Sequence, residues 1–318
     1  MKDVLVWAEG EPPAPGPRRV GIHTSTAGGV ELAAERAYRL GANTFQIFSS
    51  SPRQWKAYEL SEAQCSRMRQ LRDKYGIGPL VIHTNYLVNL ASITAEFHRK
   101  SVFSFRGELE RAAKLGAEYL VLHPGSFRGR SREEGLELAA RSIAEAAKGL
   151  ELEKSNLTIL IENTAGAEFS LGGSFDQVAQ MLESLRPICR VGVCVDTCHT
   201  HAAGCDLVSE SGWIETIERL DTTIGLANVL VWHLNDAKDA RGSKRDRHEH
   251  IGQGRLGLEP FRRLLNDSRT EHAAFIAETP IDEPGDDLRN VAILKSLVEK
   301  NVLPREKSVV RNAGSNQN

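Results

Sequence analysis

The segments LTILIE (157–162) and RVGVCVD (190–196) each run apolar and β-branched until a carboxylate stops them, with a helix-like stretch between. Nearly continuous apolar runs of this length read as parallel strands covered on both faces, not as the strict alternation of a half-exposed sheet. The signature recurs outward in both directions. RVGIHTS (19–25), TFQIFS (44–49), PLVIHT (79–84) and YLVLH (119–123) precede, and VLVWHLND (229–236) and AFIAET (274–279) follow. Helical patterns lie between the runs. Residues 61–75 open with Ser61-x-x-Gln64, are followed by Gly76, and carry Cys65, Met68, Leu71 and Tyr75 at spacings of three and four. That is a capping box, a C-cap and an apolar face. Ser131-x-x-Glu134 and Ser174-x-x-Gln177 open two more helices in the same way. Eight such runs alternating with helices predict an α/β fold, a single-domain (β/α)8 TIM barrel with its active site at the C-terminal face of the strands. An open doubly wound sheet is the alternative, but no Gly-x-Gly-x-x-Gly follows a run, which weighs against its nucleotide-binding form.

The 318 residues are 41% hydrophobic and 26% charged, ordinary values for a soluble globular chain. No apolar run approaches the roughly 20 residues that span a bilayer. The start, MKDVLVWAEGEPPAPGPRR, has no apolar core of signal-peptide length, so a cytoplasmic location is expected. Five unevenly spaced cysteines (65, 189, 194, 198, 205) form no disulfide framework. Without a second Cys pair, Cys194 and Cys198 read as small buried hydrophobes rather than thiolate ligands. Residues 1–18, Pro-rich from 11 onward, are expected to form a flexible extension, 19–304 the barrel domain, and 305–318 a disordered polar tail.

Neither strands nor helices require the next pattern. Six of the eight runs end on or beside a residue of metal-ligand type: His83, His123, Glu162, Asp196, His233 and Glu278, roughly one β/α unit apart. A lone His or Glu closing a strand is usually a polar residue at the edge of a core. Six together, all imidazole or carboxylate, and all carried to the one mouth where barrel strands end, point to a metal site. Asp196-x-x-His199 on a helical turn and Asp246-x-His248 in an extended segment add further candidates. Five His, two Asp and two Glu are too many for one tetrahedral ion and fit two or three. Nitrogen and oxygen donors suit zinc first, with manganese or iron as alternatives. Of the remaining histidines, His98, His201 and His272 read as structural, His23 as a candidate for the pocket wall, and His250 as a candidate support for the ligands.

At these residues the chain resembles the endonuclease IV family of apurinic/apyrimidinic endonucleases (AP endonuclease family 2). The resemblance is carried by GIHTSTAGG, FSSSPRQW, HTNYLVNLAS, LHPGS, IENTAG, VGVCVDTCHTHAAGCD, WHLNDAK, GSKRDRHEHIGQG and IAETP, in family order from about Gly21 to Pro280. It implies three zinc ions per chain. His83 and His123 would hold the first, Asp196, His233 and Glu278 the second with Glu162 bridging, and His199, Asp246 and His248 the third. Arg53, Tyr86 and Leu87 match residues that enter the DNA at the lesion. Gln253 departs from the family, where Glu is common, and the Pro-rich start is extra.

The implied activity is base excision repair: hydrolysis of the phosphodiester 5′ to abasic sites in double-stranded DNA, leaving a 3′-hydroxyl and a 5′-deoxyribose phosphate, with repair of damaged 3′ ends besides. A monomer without membrane partners is expected. Glu162 and Glu278 are the candidates for steering the nucleophile's proton. A net charge of −2 is unexpected for a phosphate-binding protein, but three divalent ions would turn it into about +4. Arg53 and Lys56, and Arg241, Lys244, Arg245 and Arg247, add local positive charge. An abasic nucleotide has little stacking to lose, so it is extruded most cheaply. Two rivals remain: a xylose-isomerase-like sugar isomerase or epimerase with two metals, and a damage-binding protein without catalysis.

Overall fold

The computed structural model describes residues 16–299. All eight expected runs contain a strand: β1 (Arg19–His23), β2 (Thr44–Phe48), β3 (Leu80–His83), β4 (Tyr119–Leu122), β5 (Thr158–Glu162), β6 (Val191–Asp196), β7 (Val229–His233) and β8 (Ala274–Ala277). They close into one parallel barrel in sequence order, with β8 pairing back onto β1 from Arg19–Ala274 to Ile22–Ala277. Every strand is followed by at least one α-helix. The strands are shorter than the apolar runs, because the chain leaves the barrel at the top to build loops. After β7 the run continues past Asn235, but Asp236–Ala237 pairs antiparallel with His248–Glu249 in a small ribbon over the mouth.

Side chains of a strand alternate between faces, so alternate residues fall into two cores. Val81, Val121, Leu160, Cys194, Val231 and Ile276 form one cluster, inside the barrel. Their neighbours, among them Ile82, Leu122, Ile161, Val195, Trp232 and Phe275, pack outward against the helices. Two residues beyond each inner position stands His83, His123, Glu162, Asp196, His233 or Glu278. The pleat therefore aims all six into the mouth directly above an apolar floor.

The helix signals hold with one exception. Ser61 and Ser131 each make a complete capping box, and Gly76 closes the helix that Ser61 opens, in the left-handed conformation at φ 62°. Ser174 caps the Gln177 N–H, but the Gln177 side chain accepts from Gly172 N at 2.9 Å instead of from its cap. The Gly-Gly turn, not Ser174, presents its N–H there. Arg18, assigned above to the flexible extension, is buried and donates to the Asp267 carbonyl at 3.0 Å, so the packed domain begins no later than Arg18. The expectations for residues 1–15, for the last stretch of the expected barrel domain (300–304) and for 305–318 lie outside the described residues. Among the described residues no helix is long and apolar enough to cross a membrane.

Gly21 leaves no room for a side chain: a Cβ there would lie 1.9 Å from the Thr44 carbonyl oxygen on β2. Gly21→Ala is expected to force β1 and β2 apart and to cost about 1–3 kcal/mol, an overpacking penalty. A thermal melt unchanged from the parent would contradict this.

Candidate metal centre

At the barrel mouth the carboxylate of Glu162, at the end of β5, is fully buried. Its Oε2 lies 3.0 Å from His83 Nε2 and 3.0 Å from His123 Nε2; its Oε1 lies 3.0 Å from His233 Nδ1 and 3.3 Å from His199 Nδ1. Glu278 approaches His233 Nδ1 at 3.3 Å. Asp196 closes β6 and caps the short helix Thr197–Ala202, accepting from His199 N at 2.7 Å, so the expected helical turn sets both residues on one side. Asp246 reaches His199 Nε2 at 3.2 Å and His248 Nε2 at 3.1 Å. All nine sequence candidates are thus brought together.

Among the described residues five groupings of donor atoms lie within 4.8 Å of one another: His83, His123 and Glu162; Glu162, Asp196, His233 and Glu278; Glu162, Cys194 and His233; Asp196, His199 and His248; and Cys198, Asp246 and His248. Asp246 thus falls in a grouping with His248 but not in the one that holds His199. Their chemistry fits a cation. His248 Nε2 is buried without a hydrogen-bond partner although Asp246 Oδ1 is 3.1 Å away, as when two donors aim at a common point rather than at each other. Cys198 Sγ also comes near Asp246 and His248. Burial pushes its thiol up to about 12, and it donates to the Arg247 carbonyl. Cys194 is driven well above the usual thiol range by burial and by Glu162. Both cysteines are buried, as the sequence suggests.

Amides the sequence reading passed over hold this array. Gln46 lies on β2, and its Nε2 donates to Glu278 Oε1 at 2.5 Å and meets His23 Nδ1 at 3.0 Å; its Oε1 faces His233 Nε2 at 2.8 Å. Asn235 donates to Asp196 Oδ2 at 2.6 Å and accepts the Glu278 N–H at 2.7 Å. Asn163 accepts the Asp196 N–H at 2.7 Å. The signal for Gln46 was present: a lone polar residue inside TFQIF, in a strand covered on both faces. Asn163 and Asn235 stand one and two residues past a candidate ligand.

His23 stands against the array, its Nδ1 3.0 Å from Gln46 Nε2 and 3.8 Å from Glu278 Oε1, but it lines none of the described cavities; burial lowers its pKa. His250 instead turns to Asn290 Nδ2 at 3.1 Å and Asp282 Oδ2 at 3.4 Å. His98 bonds Ser142 Oγ and His272 bonds the Val229 carbonyl, as expected of structural histidines, whereas His201 is buried with neither ring nitrogen hydrogen-bonded. Gln253 is exposed, its N–H bonded to the His250 carbonyl. Arg53 and Tyr86 are exposed and Leu87 half-buried. Tyr86 stands edge-on to Phe48, ring centroids 5.2 Å apart. A cavity of about 340 Å³ beside the array is lined by Tyr86, His123, His199, Lys244 and Asp246. A larger one of about 660 Å³ lies around Leu157, Ile188 and Arg190 at the opposite, N-terminal end of the strands, away from the clustered ligand-type groups.

Burial alone would lower the imidazole pKa values, but facing carboxylates overcome it. His83 is raised to about 9 by Glu162, His248 to about 9 by Asp246 and Asp196, and His199 and His233 are also raised. Burial pushes Glu162 up, yet the imidazoles of His123 and His233 hold it well below the usual range. Raised imidazoles stabilise the fold fully below their unfolded value of 6.5, and the gain is lost as pH climbs to the folded values of about 9. His23 runs the other way, one group against four. The melting temperature of chelator-treated protein is therefore expected to fall between about pH 6.5 and 9. A midpoint constant or rising across that window would contradict the assignment.

Comparisons with known proteins converge on one family. The family described as "Xylose isomerase-like TIM barrel" matches residues 34–297. "Probable endonuclease 4" of Solibacter usitatus is 49% identical over 88% of this chain and 96% of its own length. The crystal structure of endonuclease IV from Thermus thermophilus superposes with a TM-score of 0.79 at 38% identity, covering 88% of this chain and 98% of that one. A D-tagatose 3-epimerase-like protein shares the fold alone, at TM-score 0.64 and 22% identity. On the matched barrel and the high identity over nearly its whole length, the chain belongs to the endonuclease IV family of the xylose isomerase-like TIM barrels and is a nuclease.

Proposed function

We propose that the chain hydrolyses the phosphodiester 5′ to abasic sites in double-stranded DNA, leaving a 3′-hydroxyl and a 5′-deoxyribose phosphate, as a monomeric cytoplasmic enzyme of base excision repair. Blocked 3′ ends are a second substrate. The observation that carries this reading is the convergence of nine imidazole and carboxylate side chains around buried Glu162. Zinc is the ion proposed, three per chain, since the nine convergent donors are imidazole nitrogens and carboxylate oxygens. His83 and His123 would hold the first; Asp196, His233 and Glu278 the second; Glu162 both; His199, Asp246 and His248 the third. When bound, the ions supply Lewis acidity that activates water and neutralises the phosphate. Glu162 and Glu278 are the candidates to steer the proton of the attacking water; Glu278 is held in place by Gln46 Nε2 on its carboxylate and by Asn235 on its backbone N–H. Arg53, Tyr86 and Leu87 would fill the gap left by the missing base. An epimerase acting on a free sugar is the second reading, favoured only by the shared barrel. The ribbon that brings Asp246 and His248 over the mouth argues against it, because two metals do not require that set.

Elemental analysis of undialysed, active protein is expected to find close to three zinc equivalents per chain. Glu162→Gln is expected to lower kcat on the order of a thousandfold while leaving the circular-dichroism spectrum unchanged. One ion or fewer in active protein, or near-native turnover of the variant, would defeat the proposal.

A further inference from the structure

Glu108 lies on the helix Ala95–Leu115, outside the metal array, and is buried to 1% exposure. A buried carboxylate needs a counter-charge, and Arg111 supplies one at 3.2 Å. That pair alone would satisfy a structural role. The carboxylate instead collects three further donors from two separate loops. Ser49 Oγ and Ser50 Oγ (3.3 Å) come from the loop after β2, and Asn85 Nδ2 (3.4 Å) from the loop after β3. Arg111 Nε also donates to Ser49 Oγ at 2.9 Å, and Asn85 Nδ2 to Ser104 Oγ at 3.0 Å on the same helix. Higher up, the two loops touch directly: Tyr86 N donates to the Pro52 carbonyl at 3.1 Å. Pro52 precedes Arg53, and Asn85 precedes Tyr86 and accepts the Leu87 N–H at 3.0 Å.

We propose that Glu108 is a positioning residue that clamps the two lesion-contacting loops into one register, so that Arg53, Tyr86 and Leu87 meet the DNA at a fixed spacing. The inference rests on the reading of those three residues under Proposed function. Its physics is preorganisation. The loop residues 49–60 contain no helix or strand, and neither do 84–94. Side chains that fill a gap of fixed width bind more tightly when their spacing is set before encounter. The clamp touches neither ligands nor reacting atoms, so it governs engagement rather than the chemical step.

The test compares the zinc-loaded parent with Glu108→Gln, Arg53→Ala and Asn85→Ala in steady-state cleavage of an abasic duplex, alongside metal content. In Glu108→Gln the charge that pairs with Arg111 is lost and one acceptor oxygen becomes an NH2 donor, so the donors at one of the two oxygens, Ser49 with Arg111 or Ser50 with Asn85, lose their acceptor. Its KM is expected to rise on the order of tenfold, with kcat and metal content within about twofold of the parent. Asn85→Ala frees one loop while leaving the Glu108–Arg111 pair intact, and is expected to give a smaller rise; it stands in should Glu108→Gln fail to fold. A KM unchanged in both variants while Arg53→Ala raises it would overturn the clamp alone. A KM unchanged in Arg53→Ala as well would overturn the lesion-contact reading beneath it. A parallel fall of kcat and metal content in Glu108→Gln would reduce Glu108 to an ordinary structural pair and overturn the proposal.

Discussion

Four imidazoles and one inaccessible carboxylate, that of Glu162, set the form of the barrel mouth. An ionised carboxylate without solvent costs several kcal/mol unless positive charge surrounds it. Each Glu162 oxygen lies between two imidazoles, His83 and His123 on one side and His199 and His233 on the other, all within 3.0–3.3 Å, where protonated rings or bound cations would supply that charge. Those histidines come from four different β/α units, and no stretch of local structure brings them together. Only closure of the barrel does, with strand ends at one level and a pleat that turns every second residue inward. The fold and the site are therefore the same constraint seen at two scales.

Around this centre the rigidity is supplied by amides rather than charges. Gln46 spans His23, His233 and Glu278, while Asn235 ties Asp196 to Glu278. Neutral amides fix directions without altering the balance of charge, which suits a site proposed to gain several positive ions. Asp236 does the corresponding work for the covering loop: its buried carboxylate accepts the N–H groups of Gly252, Gly254 and Leu256 at 2.8–3.0 Å. The ribbon that carries His248 is thereby fastened to the end of β7.

The strand ends were legible because each apolar run stops on a residue that no core would choose, and six such stops at barrel spacing define a mouth. Asp196 with His199, and Asp246 with His248, were legible from local geometry alone. Gln46 is marked only by its polarity inside a covered strand, and Asn163, Asn235 and Glu108 by nothing local, because amides and single carboxylates have no spacing rule; their partners on other strands and loops lie 23 or more residues away and are known only once the barrel closes. Arg18 was assigned to the extension for a related reason, since its partner at Asp267 is 249 residues distant. His250 shows the converse: adjacency to a ligand ribbon in sequence does not aim a ring at the ligands.

The central claim is hydrolysis at an abasic site by this array, against elimination through a Schiff base to a lysine. No lysine ends any of the eight barrel strands, and Lys238, nearest to β7 in sequence, lies 3.9 Å from Glu249 on the ribbon. The decisive measurement is cleavage of an end-labelled abasic duplex with and without chelator, with borohydride added in parallel. The account predicts a single cut 5′ to the lesion with a 3′-hydroxyl end, abolished by chelator, and no trapped protein–DNA adduct. Chelator-resistant cutting on the 3′ side with a borohydride-trapped adduct would contradict it.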